Sequence, residues 1–591
     1  KTLADKIRRF DYAHLRLFIT ALFVGLAAGL LSLGFRECTA LVQWVFFRFT
    51  DDTRWQLFAD LPWYWIIAAP TVGGLFVGIY AKFTLPNGRP VGVAQVMESS
   101  ALTGGKMSLK TGLHGAVVNA ASIGAGASAG REGPVVHLGA TIGAWFAKVL
   151  GLPKGSARIL LGSGVAAAVA AAFNAPLAGV FFALEVVIGH YAVSALAPTV
   201  AASVLATAFT RSVYGAYPAF QLAPYNLGSY WEYPAFALLG VITAMSAIAF
   251  MRSVPFVSKI HDKFRIPQYF RPMIGGFLIG LIALSFPQVL GVGYGATSSA
   301  LKMEFGFVFL LGLIFAKTAA TAITLGSGFG GGIFSPSLFL GAVIGGAFGI
   351  IAGQIAPGMV GVGEDIFAGE RAYALVGMGA YAASTLGAPI STILMIFEIT
   401  TDYSLTTAVM VAVVAAIATT SALHGPSYFR GQLSDRGIDV AKNRLESDLL
   451  QDIEVGKVLS KNFAKTYPDI PLSEVRIKLQ AAAFGELFVV DREDHLIGTI
   501  TLSDFAPEAF DRELDTLVVA RDIVRLNPPM LEKSNNLEDA LRMMEYQDEA
   551  HIAVVDSSEN KKILGVIHER DIMLAYNRAL VKVHQDESAA F

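Results

Sequence analysis

The sequence predicts an all-α polytopic membrane domain built from two repeated halves with broken helices, followed by a smaller α/β pair of cytosolic modules. Three observations carry this. Apolar runs long enough to span a bilayer recur through most of the chain. Blocks interrupted by glycine and proline recur in the second half of this region, several of them at one offset. From about Asp439 onward acids and bases come every few residues.

Composition supports the membrane reading first. Hydrophobic residues make up 54% and charged residues 16%, against about 25% charged in soluble domains. Between residues 305 and 363 the only charged side chain is Lys317, and between 132 and 200 the only acids are Glu132 and Glu185. Net charge is −2, so no basic excess points to nucleic acid. A single cysteine, Cys38, excludes an internal disulfide framework. No CxxC or HExxH pattern supports a metal site, and no nucleophile–base pair is visible, so no enzyme is expected. The acid-poor spans argue against a divalent cation transporter.

The elements follow in order. Residues 1–14 read as a cytosolic segment, because Lys6, Arg8, Arg9 and Arg16 precede an uncharged run over 17–35. That run is longer than the apolar core of a cleaved signal peptide. The transmembrane domain is expected over 15–424, with halves of about 15–190 and 235–420. A cytosolic C-terminal domain then requires an even number of full crossings.

The repeat is read from matched blocks. Gly130-Arg131-Glu132-Gly133-Pro134 corresponds to Gly332-Ile333-Phe334-Ser335-Pro336, and Leu138-Gly139-Ala140 to Leu340-Gly341-Ala342. Ala175-Pro176-Leu177 up to Glu185 corresponds to Ala388-Pro389-Ile390 up to Glu398, and Val91-Gly92-Val93 resembles Val292-Gly293-Tyr294. Repeated halves with interrupted apolar segments mark transporters whose broken helices meet near the midplane. The alternative is that the glycines only permit close helix packing.

Broken helices suit an anion. A helix N-terminus presents unpaired N–H groups and about half a positive charge. Glycine admits close backbone approach, and an early proline has no N–H to waste. Two such ends, at Gly130–Pro134 and Gly331–Pro336, would bind an anion without a full positive charge. Glu132 beside them reads as a gating acid that competes with the anion and yields when protonated. The alternative is a salt bridge with Arg131.

These motifs resemble the CLC family of chloride channels and proton-coupled chloride exchangers. The likeness rests on Gly130-Arg131-Glu132-Gly133-Pro134, on Gly331-Gly332-Ile333-Phe334-Ser335-Pro336 with Gly326-Ser327-Gly328 before it, and on Asn174-Ala175-Pro176-Leu177-Ala178-Gly179 leading to Glu185. The resemblance implies a homodimer in the lipid bilayer with one chloride path per subunit and Glu132 as external gate. It implies that amides of Ile333 and Phe334 line a central chloride site. Amides of Arg131, Glu132, Gly133 and Ser335 would line an outer one. Tyr428 falls where the family has a pore-lining tyrosine; the alternative is an interfacial belt tyrosine.

Two positions depart from the family. Val91 stands where a serine hydroxyl would touch the central anion, and Val186 stands where exchangers usually carry an inner proton-relaying acid. Valine at the second position is common in the family's channels. Glu185 and Glu398 are expected to cap or brace helices. The resemblance therefore implies a chloride-selective channel in the plasma membrane, or the inner membrane of a bacterium, with cytosolic termini. A chloride/proton antiporter is the alternative.

After a linker over 425–452, the pattern 487–491, 496–500, Ser503-Asp504 returns as 552–556, 563–567, Arg570-Asp571. Continuous apolar runs of this length followed by turn residues are buried strands. The pattern looks like a tandem pair of CBS domains over 453–510 and 518–580. Such pairs often hold an adenine nucleotide in their cleft, with Asp504 or Asp571 on the ribose; the alternative is a purely structural, dimer-bracing role.

Overall fold

The computed structural model describes residues 12–51, 53–215, 220, 230–355, 368–439, 450–451, 453–482, 485–501, 517–547 and 549–589. The chain forms two compact units, Lys1–Val440 and Ala441–Phe591.

The first unit is helical. Its first half holds α1 (Tyr12–Phe47), α2 (Trp63–Thr84), α3 (Val93–Leu102), α4 (Leu109–Gly124), α5 (Glu132–Val149), α6 (Lys154–Phe173), α7 (Pro176–Phe182) and α8 (Val193–Tyr214). Its second half holds α9 (Tyr233–Lys263), α10 (Arg271–Ser285), α11 (Tyr294–Leu301), α12 (Phe307–Gly326), α13 (Phe334–Ile355), α14 (Ala368–Leu386), α15 (Pro389–Thr400) and α16 (Tyr403–Leu423). A last helix, α17 (Tyr428–Ser434), closes the unit. Eight helices of the described residues are long and apolar enough to cross a membrane.

Local chemistry sets the breaks. Pro176 and Pro389 open α7 and α15 at the first helical position, where no N–H is needed. Asn174 ends α6 in the left-handed conformation, and Thr401 does the same for α15. Asp402 caps α16 by accepting from the Ser404 and Leu405 amides. A π-helical turn, Ala183–Ile188, extends α7 and carries Glu185 and Val186.

The two halves correspond helix by helix. The first half runs further than the expected 190, because α8 takes the place in order that α16 takes in the second half. Repeat mates also touch reciprocally. A Cβ on Gly74 of α2 would lie 2.3 Å from the Pro272 carbonyl oxygen on α10, and one on Gly276 would lie 2.0 Å from that of Pro70. Small residues let these two helices approach backbone to backbone. The unit boundary falls after Val440, inside the stretch expected as linker, and α17 belongs to the first unit.

The second unit holds two similar modules. In the first, β1 (Lys465–Thr466), β2 (Glu486–Val490), β3 (Leu496–Thr501) and β4 (Arg525–Leu526) form one sheet in that order, with helix α18 (Leu472–Ala481) after β1. In the second, β5 (Met530–Glu532), β6 (His551–Val555) and β7 (Ile563–His568) form another, with α19 (Leu537–Gln547) and α20 (Glu569–Ala589). In both, a parallel pair precedes an antiparallel one, with a register shift at Val489/Val490 and again at Val554/Val555. Phe488, Val490 and Leu496 share one apolar cluster with Ala553, Val555 and Val566, so the modules are packed against each other.

Candidate anion site and gate

Two chain breaks converge inside the first unit. The segments entering α5 and α13 pair backbone to backbone at Gly130 and Gly332. Gly331, at φ +143, is required there, since a Cβ would lie 2.3 Å from that of Ala129. The helices then start at Glu132 and Phe334, each with its proline in the first turn, so their free amides and positive dipole ends share one region.

Glu132 closes this region. It is 1% exposed, and its Oε1 accepts from the Tyr294 hydroxyl at 2.5 Å and from the Ser335 hydroxyl at 2.5 Å. Among the described residues nothing hydrogen-bonds its other oxygen, Oε2, which lies 2.4 Å from where a Gly130 Cβ would be. The same Cβ position is 3.0 Å from the Ser335 nitrogen, so the carboxylate sits over the start of α13. A carboxylate here takes the place an anion would take at a helix N-terminus.

The neighbours are ordered around it. The Arg131 guanidinium carbon stands 4.7 Å over the Tyr294 ring. Gly133 packs on Gly332, whose Cβ would lie 2.9 Å from the Gly133 nitrogen. Ile333 is 1% exposed, and the Phe334 ring packs on Phe173 and Phe182 at 4.9 and 5.7 Å. Lys317 of α12 is fully buried; its Nζ donates to the Val289 carbonyl at 3.2 Å. It also lies 3.2 Å from where a Cβ on Gly293, next to Tyr294, would be.

A cavity of about 600 Å³ reaches Gly133 and Ile333 and is lined also by Val91 and Tyr428. Arg89, Arg252, Arg271 and Arg436 line it against Asp262 and Asp435, a positive balance that favours anions. Tyr428 packs on Phe250 with ring centroids 6.4 Å apart. The Val91 side chain turns to α4, with Cγ2 2.3 Å from where a Gly115 Cβ would lie.

Residues 73–421 match the family described as "Voltage gated chloride channel". The chain belongs to this family. Residues 455–509 and 520–578 match CBS domains. A ClcB-like protein of Ralstonia nicotianae is 31% identical over 70% of this chain and 95% of its own length. The chloride channel protein CLC-f of Arabidopsis thaliana is 29% identical over 83% of this chain and 69% of its own. A slow cyanobacterial Cl⁻/H⁺ antiporter of known structure superposes with a TM-score of 0.62 at 25% identity, over 72% of this chain and 98% of that one. The CLC family transports chloride, and this member is a multi-pass membrane protein with two CBS modules.

Within this CLC protein, Glu185 and Glu398 are helix caps. Glu185 accepts from the Ile390 and Ser391 amides at 3.1 and 3.0 Å, at the start of α15. Glu398 accepts from the Leu177 and Ala178 amides, both at 2.8 Å, at the start of α7. Each repeat thus caps a helix of the other. Val186 is 4% exposed within the apolar core.

Two contacts are not legible in the motifs. The Ser335 hydroxyl, and not only its amide, meets Glu132. Tyr294 stands in a repeat block, and its one sequence signal is its place at the start of α11, the repeat mate of the helix that follows Val91.

In the CBS unit a cavity of about 280 Å³ is lined by Phe463, Glu486 and Phe488 from the first module and His551, Val566 and His568 from the second. His551 and His568 face each other across β6 and β7, with ring centroids 4.3 Å apart. Burial and the neighbouring His551 hold His568 below the ordinary imidazole value, against the pull of Asp571. Asp571 lies in the first turn of α20 with Oδ2 buried. Asp504 lies outside the described residues.

Proposed function

We propose that the protein is a chloride-selective channel of the CLC family, with one path per subunit of a homodimer and Glu132 as its gate. The observation that carries this is the seat of the Glu132 carboxylate, buried on two hydroxyls where α5 and α13 begin. Charged, it occupies an anion's place; protonated, it loses that attraction and can leave. Arg131, Gly133, Ile333, Phe334 and Ser335 supply the amides around the anion, and Tyr428 lines the path below. Val186 offers no proton carrier, and Glu185 is committed to capping α15, which supports a path without tight proton coupling. No enzymatic chemistry is proposed.

The test is chloride flux from liposomes with simultaneous pH recording. Glu132→Gln is expected to leave flux nearly independent of external pH. Full pH dependence retained in that variant would refute the gate assignment. The likeness to the cyanobacterial Cl⁻/H⁺ antiporter supports a second reading, coupled exchange by another inner proton route. A reversal potential that moves with an imposed pH gradient decides for it.

The CBS cavity is proposed to hold an adenine nucleotide, its base against Phe463 and Phe488; Asp571, expected on the ribose, is not among the residues that line it. The protein is proposed to sit in the plasma membrane or a bacterial inner membrane, with both termini cytosolic.

A further inference from the structure

Tyr294 is the first residue of α11 and is 4% exposed. Gly293 before it, at φ +86, turns the chain into the helix. Its ring is held edge-on to Phe220, centroids 5.1 Å apart, and by the Arg131 guanidinium on one face. A buried ring fixed on two sides has few rotamers to lose, so its hydroxyl is already placed. That hydroxyl donates to Glu132 Oε1 at 2.5 Å from another helix, 162 residues along the chain.

We propose that Tyr294 is the latch of the gate: a positioning residue whose phenolic O–H holds the Glu132 carboxylate in its closed seat and so sets how much acid is needed to release it. The proposal rests on the reading of Glu132 as gate. The chemistry is one of donor and acceptor. A carboxylate accepts from a phenol strongly, so the bond holds the side chain in its seat. Without the donor the seat is weaker and the side chain leaves it more readily.

The repeat gives an internal contrast. The mate of Tyr294 is Val93, which opens α3 and has no hydroxyl to offer. One half of the duplicated fold therefore carries a latch and the other does not. The charged groups that the described structure brings to this pair are few. Arg131 lies on the tyrosine ring, and Lys317 comes from α12 behind Gly293. From α13 the contact is the uncharged Ser335 hydroxyl. Ser335 is the less useful probe, because its own amide belongs to the anion site; Tyr294 touches the gate from outside it.

The experiment is chloride efflux from liposomes holding the full-length chain, measured across external pH. Tyr294→Phe keeps the ring and its packing. It is expected to move the midpoint of acid activation upward by about one pH unit, close to tenfold less acid. The double variant Tyr294→Phe/Glu132→Gln is expected to match Glu132→Gln alone at every pH. An unchanged midpoint in Tyr294→Phe, with Glu132→Gln flat in pH, would overturn the latch and leave the gate standing. An equal change of flux by Tyr294→Phe in the Glu132→Gln background would assign the tyrosine a merely structural role. A Glu132→Gln variant that keeps its pH dependence would remove gate and latch together.

Discussion

Gly130 and Gly332, equivalent positions in the two repeats, exchange two backbone hydrogen bonds: Gly130 N–H to the Gly332 carbonyl at 2.7 Å, and Gly332 N–H to the Gly130 carbonyl at 2.8 Å. This short antiparallel bridge ties the halves together directly before α5 and α13. Irregular backbone at membrane depth must satisfy its polar groups internally. Here the two breaks satisfy each other, directly before the helix starts where the anion site is proposed.

Gly130 also makes room for the Glu132 carboxylate. In Gly130→Ala the new Cβ would meet Glu132 Oε2 at 2.4 Å, so the carboxylate cannot keep its seat. Flux at neutral external pH should rise toward the acid-activated level, by several-fold in liposome efflux. No rise over the wild-type chain would mean that the carboxylate does not block the path in this pose.

The caps should behave as a reciprocal pair. Glu185→Ala and Glu398→Ala each remove an acceptor for two amides at a helix start. Each should cost about 1–2 kcal/mol, read as similar drops in thermal stability in detergent. Neither should alter the reversal potential under a pH gradient. A shift of that potential in Glu185→Ala alone would give Glu185 a proton-carrying role.

Val91 and Gly115 should be coupled. Gly115→Ala forces a Cβ to within 2.3 Å of Val91 Cγ2, a case of overpacking that costs about 1–3 kcal/mol. Val91→Ser shortens that side chain and should recover most of the loss in the double variant, as a double-mutant cycle measures. Independent, additive effects would show that the two side chains do not share the space.

The CBS unit should lose stability in mild acid. Its buried His568 has a lowered value, so between that value and the ordinary 6.5 the unfolded chain binds more protons than the folded one. The stabilisation is fully present above about pH 6.5 and falls away as pH drops toward the lowered value. Amide exchange in β6 and β7 of the full-length protein, compared at pH 7.5 and 5.5, should show weaker protection in acid. His568→Gln should flatten the difference.

Much of this was legible without coordinates. The four matched blocks gave the duplication, and all their members lie at corresponding places in α3–α7 and α11–α15. The strands around residues 488, 498, 553 and 565 were read within a residue or two, because continuous apolar runs between turn residues have few other uses. The extent of the first half was read short at 190, since α8 is an apolar span with no glycine-rich motif to match. The role of Tyr294 is not legible in the sequence, because a tyrosine at a helix start has no local pattern that announces a carboxylate partner.

From the sequence alone came the membrane setting, the duplicated halves, the helix starts suited to an anion and the paired CBS modules. All of these are periodic or compositional, and local backbone and solvation physics enforce them. Tertiary structure alone decided which groups meet: Tyr294 with Glu132 across 162 residues, Ser335 with Glu132 across 203, and Glu185 with Ile390 across 205. Such pairings depend on how one repeat rotates onto the other. That rotation is fixed by the fit of glycine-bearing helix faces, a property of the packed surfaces and not of any short stretch of chain.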